Sequence, residues 1–336
     1  MKLVILVLTL VGASAMAVEP MKFKVGTSRS SAPRGNATAT LAPAKTDATS
    51  TAQITPAPSA GNLSLANFQP AKGVISATIA PEYGTTTSTG TSSMAKYTGK
   101  TIATQIRVQY GMSPTAALKL ETSIGQNDQN FTGNRESHNK GLSDIVFGYS
   151  SKMTKENGQV LLGADLSLSL EAASINLAKG KDGNRFSGGQ TITPYIGFEM
   201  ARTNAQVMGM VGSLSINQDK RADLIAADNT KSEMTVSGGN TIAVKGFSEW
   251  TSGSILAGLS GQVSLIAGKA FVTASNARID FDSQTMFTAS VYGKALNDQQ
   301  TVQWIPSITF TTNLNKNSGN TLAGYDDLGL AVAARF

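Results

Sequence analysis

The last eleven residues, Asp326 to Phe336 (DDLGLAVAARF), alternate: Leu328, Leu330, Val332, Ala334 and Phe336 fall on one face, and Asp327, Gly329, Ala331, Ala333 and Arg335 on the other. Successive side chains of a β-strand point to opposite sides, so this spacing predicts a strand. Its apolar face runs to the final aromatic residue. An exposed apolar edge of this kind drives aggregation in water. It is stable when the strand closes a barrel in lipid, where the apolar face meets hydrocarbon and no edge is left.

On these residues the ending resembles the C-terminal strand of Gram-negative outer-membrane β-barrels, which commonly finish on Phe. The resemblance implies that Phe336, with Leu328, Leu330 and Val332, forms the signal read by the barrel-insertion machinery. Ala334 departs from the pattern, because such strands more often carry a bulky side chain at that position.

The opposite end agrees. Met1 and Lys2 give a basic start, Leu3 to Val11 is an almost unbroken apolar run, and Ala15-Met16-Ala17 supplies small residues for a signal peptidase. Residues 1–17 therefore read as a cleaved signal peptide, with a mature chain from about Val18. The run is too short for a membrane-spanning helix, which takes roughly 20 apolar residues. No Cys follows the small residues, so this is not a lipoprotein signal. From Val18 to Lys72 the chain is rich in Thr, Ala, Ser and Pro, and holds Pro20, Pro33, Pro43, Pro56, Pro58 and Pro70 of its 10 prolines. Its apolar surface is too small to offset the entropy of ordering, and residues 18–72 are expected to be disordered. Their charge is mostly basic, which fits a plain spacer, a segment entering the barrel, or one meeting an acidic periplasmic partner.

Composition supports a barrel over residues 73–336. The chain has no Cys, so an exported fold has no disulfides and must gain its stability from closing the sheet. Its mean hydropathy is -0.07, as expected where lipid-facing and interior residues alternate. The formal net charge of +6 becomes about +5 once Lys2 leaves with the signal. Alternating stretches recur: Thr101 to Tyr110 sets Ile102, Ile106, Val108 and Tyr110 against Gln105, Arg107 and Gln109. Gln159 to Glu171 sets Val160, Leu162, Ala164, Leu166, Leu168 and Leu170 against mostly small or polar residues. Short turns alternate with long polar stretches at 126–141, 172–189 and 218–252, the last with room for a hairpin around 233–244. Counting Ala270 to Ile279 as a strand, the spacing predicts an all-β, transmembrane, antiparallel barrel of about 12 strands. An even number is required when both ends lie on the periplasmic side, so 10 or 14 are the alternatives. Tyr110, Tyr149, Phe198, Trp304 and Phe336 fall outward at one level, as an interfacial aromatic belt would.

On the inner face this register places Arg107, Lys119, Lys152, Lys294 and Arg335 beside Glu121, Asp144, Asp165, Glu171, Glu199 and Asp327. The near balance argues against strong ion selectivity, which needs a ring of one sign. These charges can brace the wall as pairs or line a polar pore. His138 is the sole His and sits in the polar stretch Arg135-Glu136-Ser137-His138-Asn139, with no nucleophile or Gly-rich oxyanion segment spaced for catalysis. Without Cys and with a single His, no zinc site is expected. The pairs Gly188-Gly189 and Gly238-Gly239 precede no helix and make no phosphate cradle. No enzyme activity, metal or cofactor is therefore expected.

Gly141-Leu142-Ser143-Asp144-Ile145-Val146-Phe147-Gly148-Tyr149 resembles the Gly-Leu-Gly-Asp strand start of the MetA-pathway phenol-degradation type outer-membrane proteins, with Ser143 where Gly is usual. Thr193-Pro194-Tyr195-Ile196-Gly197-Phe198 is similar in flavour. The resemblance implies a barrel that passes small, often hydrophobic molecules. The sequence thus leads to a Gram-negative outer-membrane barrel acting as a porin-like channel or uptake protein for small solutes. The alternative is a structural or surface barrel whose extracellular loops bind partners. Expected partners are the outer-membrane bilayer, the insertion machinery and a small solute, with no nucleic acid.

Overall fold

The computed structural model describes residues 63–88, 97–131, 135–176, 178, 181–226, 228–273, 278–295, 302–315 and 325–336. The expected signal peptide and most of the 18–72 segment lie outside them. Among the described residues nineteen strands follow one another: β1 (Ile75–Ser88), β2 (Tyr97–Ser113), β3 (Ala116–Phe131), β4 (Arg135–Ser143), β5 (Ile145–Lys155), β6 (Gly158–Leu168), β7 (Ala173–Asn176), β8 (Gly183–Arg185), β9 (Gln190–Thr203) and β10 (Gln206–Asn217). The second half of the chain adds β11 (Lys220–Ile225), β12 (Lys231–Gly238), β13 (Thr241–Ser252), β14 (Ile255–Ile266), β15 (Lys269–Thr273), β16 (Arg278–Phe281), β17 (Gln284–Ala295), β18 (Gln303–Asn313) and β19 (Tyr325–Arg335).

The wall is a closed antiparallel barrel of 12 strands. β4 and β5 form one wall strand broken at Asp144, because both pair with β3, through Ile124↔Leu142 and Glu121↔Val146. The ring closes where β1 meets β19, with Glu82 opposite Ala331 and Tyr83 opposite Leu330. Phe336 extends this seam: its N–H donates to the Ala77 carbonyl at 2.9 Å, and the Ala77 N–H donates back at 3.3 Å. Outward side chains such as Ile106, Leu118, Phe147, Val263, Ile308 and Leu330 are exposed, while the alternate positions are covered by the barrel. An apolar outer band around a polar interior reverses the arrangement of a water-soluble protein and matches a wall set in lipid.

The short turns 114–115, 156–157, 204–205 and 253–254 lie at one end and the long connections at the other. Three of those connections build a second sheet of five strands in the order β16-β15-β12-β11-β7. It has a core of its own: Phe271 is wholly buried and meets Phe281 edge-on at 5.1 Å between ring centres.

Four segments differ from the sequence reading. The stretch 126–141 is ladder, Gln126 pairing with Lys140 and so on to Phe131 with Arg135. Its outward residues Gln126, Asp128 and Asn130 stand above the apolar band, so hydropathy stops alternating although the strands continue. The expected hairpin around 233–244 is displaced to β11–β12, and β13 is a wall strand. β13 hides its nature because Gly246 and Ser248 point outward while Ala243 and Phe247 point in. Conversely, within the expected strand from Ala270 to Ile279, the described residues up to Thr273 and from Arg278 belong to the second sheet. The two misreadings offset each other in the strand count. Residues 63–70, expected within the disordered segment, are packed inside the barrel at the short-turn end. Ser64 and Leu65 are wholly buried, and Leu65 packs with Tyr292, Ile305 and Ala333.

A charge on the lipid face should be costly. Leu259→Arg, near the middle of β14, is expected to lower stability by about 2–4 kcal/mol in denaturant unfolding from lipid vesicles. An unchanged unfolding midpoint would show that this face does not meet hydrocarbon.

Candidate functional site

The interior is built from side chains that alternate inward along the wall. On β2 and β3 the Arg107 Nε donates to Glu121 at 2.7 Å, and the Gln105 amide adds a contact at 3.2 Å. Lys119 reaches Asp165 at 3.0 Å and lies 4.0 Å from Glu121. Lys119 and Asp165 are on β3 and β6, with β5 between them, and meet over Gly148. A Cβ on Gly148 would fall 2.5 Å from the Asp165 carboxylate and 2.6 Å from Lys119 Cε. Glycine there is what allows the ion pair to span a strand. Arg107, Glu121 and Asp165 are all buried, so each charge depends on its partners.

Nearer the short turns a second group holds the interior segment. Glu199 on β9 is buried, accepts the Ser64 hydroxyl and the Asn67 amide (3.0 Å), and has Lys152 at 3.7 Å. Glu249 on β13 accepts the backbone N–H groups of Leu65 (2.5 Å) and Ala66 (2.8 Å) and the Tyr292 hydroxyl (2.9 Å). The Arg335 guanidinium lies 4.5 Å from the Phe68 ring centre, and the Gln69 amide donates to Ser150 at 2.9 Å. Lys294 is buried in the wall nearby and donates to Gln303 at 3.4 Å.

Between this segment and the second sheet lies a chamber of about 330 Å³. Nearly half of its lining residues bear a hydroxyl, Ser123, Ser213, Ser260, Ser290, Thr101, Thr191, Thr288 and Thr309 among them. The acids Glu82, Asp144, Asp165 and Asp327 share it with the bases Arg185, Lys220, Lys245 and Lys269. Asp327 accepts the Thr86 hydroxyl at 3.0 Å. Asp144 faces inward but also organises the connection after β6, accepting the Ser169 hydroxyl (2.5 Å) and the Ser187 N–H (2.9 Å). It sits at the break in the Gly141 to Tyr149 stretch, where Gly141 has a φ of 108° that favours glycine.

Glu171, expected on the inner face, is instead exposed beyond the end of β6, where Asn184 approaches it at 3.4 Å. The wall strand stops at Leu168, so the alternation was carried three residues too far. Leu328, Leu330, Val332 and Phe336 are all exposed on the outer face. Periodicity missed Glu82, Lys245 and Glu249. The last two needed only β13 to be read as a strand. Arg185, Lys220 and Lys269 come from connections or their short strands, where no alternation marks an inward side.

His138 is on β4, not in a loop. Its Nδ1 lies 2.9 Å from Asp128 and its Nε2 3.4 Å from Glu136. The hydrogen bond to Asp128 holds its pKa above the ordinary imidazole value, with Glu136 adding to the effect. Among the described residues no cluster of three or more His, Cys, Asp or Glu could hold a metal.

No protein-family model and no curated protein matches the chain. Solved structures do. The COG4313 outer membrane channel from Pseudomonas putida F1 aligns with a TM-score of 0.54 at 10% identity, over 80% of this chain and 97% of that one. The shared fold is the outer-membrane β-barrel. The deltaS2 mutant of the TodX monoaromatic hydrocarbon channel aligns at 0.49 and 8% identity, over 79% and 90% of the two chains. The NanC porin aligns at 0.41 and 10% identity, over 76% and 98%.

Two outcomes follow from these contacts. Arg107→Met should destabilise by about 3–5 kcal/mol because it leaves Glu121 buried without its closest cation. Adding Glu121→Leu should recover most of that loss, and equal losses in single and double variants would show that the pair is not coupled. The sole imidazole should titrate above its ordinary value by NMR, and Asp128→Asn should bring the midpoint down. Since the folded-state pKa is the higher one, the stabilisation is complete below the unfolded value and is lost as pH rises through the folded value.

Proposed function

We propose that the chain is a porin-like barrel of the Gram-negative outer membrane that admits small solutes through its interior. The observation that carries this reading is the chamber, lined by hydroxyl and apolar side chains with four acids and four bases, enclosed by a wall whose outer face is apolar. Hydroxyls exchange hydrogen bonds with a passing solute without the desolvation cost of a lone charge. Matched acids and bases leave no ring of one sign to reject anions or cations. Val146, Val211, Phe247, Ile266 and Met286 also line it, so it offers apolar surface as well to the hydrophobic molecules implied by the phenol-degradation resemblance. The inward charges Arg107, Lys119, Glu121 and Asp165 serve to brace the wall. Leu328, Leu330, Val332 and Phe336 are the outward residues we assign to recognition by the insertion machinery, after export on residues 1–17.

A second reading rests on the five-stranded sheet formed by the long connections, which offers a folded surface to an extracellular partner. Removal of β11 and β12 would abolish such binding while leaving permeability in place.

Vesicles carrying the folded Leu65→Asp variant, which unseats the interior segment, are expected to admit glycerol and arabinose faster than protein-free vesicles, and no slower than vesicles carrying the unaltered mature chain. In a salt gradient the reversal potential should lie close to zero. If neither chain admits a neutral solute, the channel reading is wrong. A strong preference for one ion sign would contradict the balanced lining.

A further inference from the structure

We propose that the short-turn mouth of the barrel is a peptide-binding site, filled in this structure by the chain's own residues 63–70. The segment meets the wall as a ligand meets a receptor. Two consecutive backbone N–H groups, of Leu65 and Ala66, point at the two oxygens of Glu249 at 2.5 and 2.8 Å. Glu199 takes side-chain donors from Ser64 and Asn67. Leu65 fills an apolar pocket made by Tyr292, Ile305 and Ala333. The Phe68 ring lies under Arg335, and Gln69 reaches Ser150. Backbone, polar side chain and apolar side chain are each read, so the site has sequence preference: a small hydroxyl residue, Leu, a small residue, Asn, then an aromatic.

The receptor half is assembled from β5, β9, β13, β17, β18 and β19, and so exists only once the barrel has closed. Two of the three donors named at Glu249 belong to the segment. A buried carboxylate stripped of such donors bears its desolvation uncompensated, which favours occupation by a peptide. Ile305 supports the same conclusion. It is an inward apolar side chain, wholly buried and packed with Leu65. Ala66 and Asn67 form part of the chamber's lining, so occupancy of this site separates the chamber from the short-turn mouth. A segment held in this way can be exchanged for a second peptide of the same pattern.

The test is fluorescence anisotropy of a labelled peptide spanning residues 63–72, added to detergent-folded mature chain whose folding is verified by heat-dependent gel migration. The unaltered chain should bind little, its site being filled. The Leu65→Asp chain should bind saturably, and adding Glu249→Gln to it should weaken binding by about tenfold or more, since an amide oxygen replaces two carboxylate oxygens. A scrambled peptide should not bind. If Leu65→Asp does not fold, Asn67→Ala with Phe68→Ala frees the same site without touching the wall. No binding to a folded, unseated chain would overturn the proposal, as would binding indifferent to Glu249→Gln. The outcome is independent of solute passage: peptide binding in a chain that admits no solute would sink the channel reading alone.

Discussion

In hydrocarbon an unpaired backbone N–H or C=O costs several kcal/mol, so a sheet can cross a membrane only by closing on itself. Here the closing contact is the ladder between β1 and β19, extended at its end by the reciprocal bonds of Phe336 with Ala77. Everything else in the molecule depends on that seam. Until it forms, Leu328, Leu330 and Val332 are an exposed apolar edge. Once it forms, they become part of a continuous outer band, and the alternate residues become the walls of an interior.

Closure also creates the environment in which the interior charges have to be satisfied. Arg107, Glu121, Lys119 and Asp165 form a chain across four neighbouring wall strands, and Gly148 lets the last two meet over the strand between them. At the short-turn end the wall does not satisfy itself in this way. Glu199 and Glu249 are completed by Ser64, Leu65, Ala66 and Asn67, and Ile305 is covered by Leu65. The same interior therefore has two regimes: a chamber lined by the wall and its loops, and a mouth whose carboxylates are completed by a piece of chain.

The wall was legible wherever its outer face carried a run of apolar residues, as over Ile106 to Met112 of β2, Val160 to Leu168 of β6 and Leu328 to Val332 of β19. It was lost in β13, where Gly246 and Ser248 take outward positions and Phe247 points in. It was also lost above the apolar band in β3 and β4, where both faces are polar. The five-stranded sheet could not be foreseen, because its strands are short and packed on each other, so Ala270 and Phe271 are buried consecutively instead of alternating. The interior charges on well-read strands followed from period two. Glu171 did not, because the alternation outran the strand. The segment at 63–70 was obscured by composition: Pro, Ala and Thr dominate its surroundings, and only Leu63, Leu65 and Phe68 mark it. The inward Ile305 was a hint in the wall that something apolar would cover it.

The lipid-facing alternation of β19 can be measured directly. The chain has no Cys, so single cysteines at positions 327 to 335 can each carry a spin label in lipid vesicles. Accessibility to oxygen, which concentrates in hydrocarbon, should peak at 328, 330 and 332, with minima at 327, 329 and 331. The absence of that two-residue period would contradict a strand closing a barrel in a membrane.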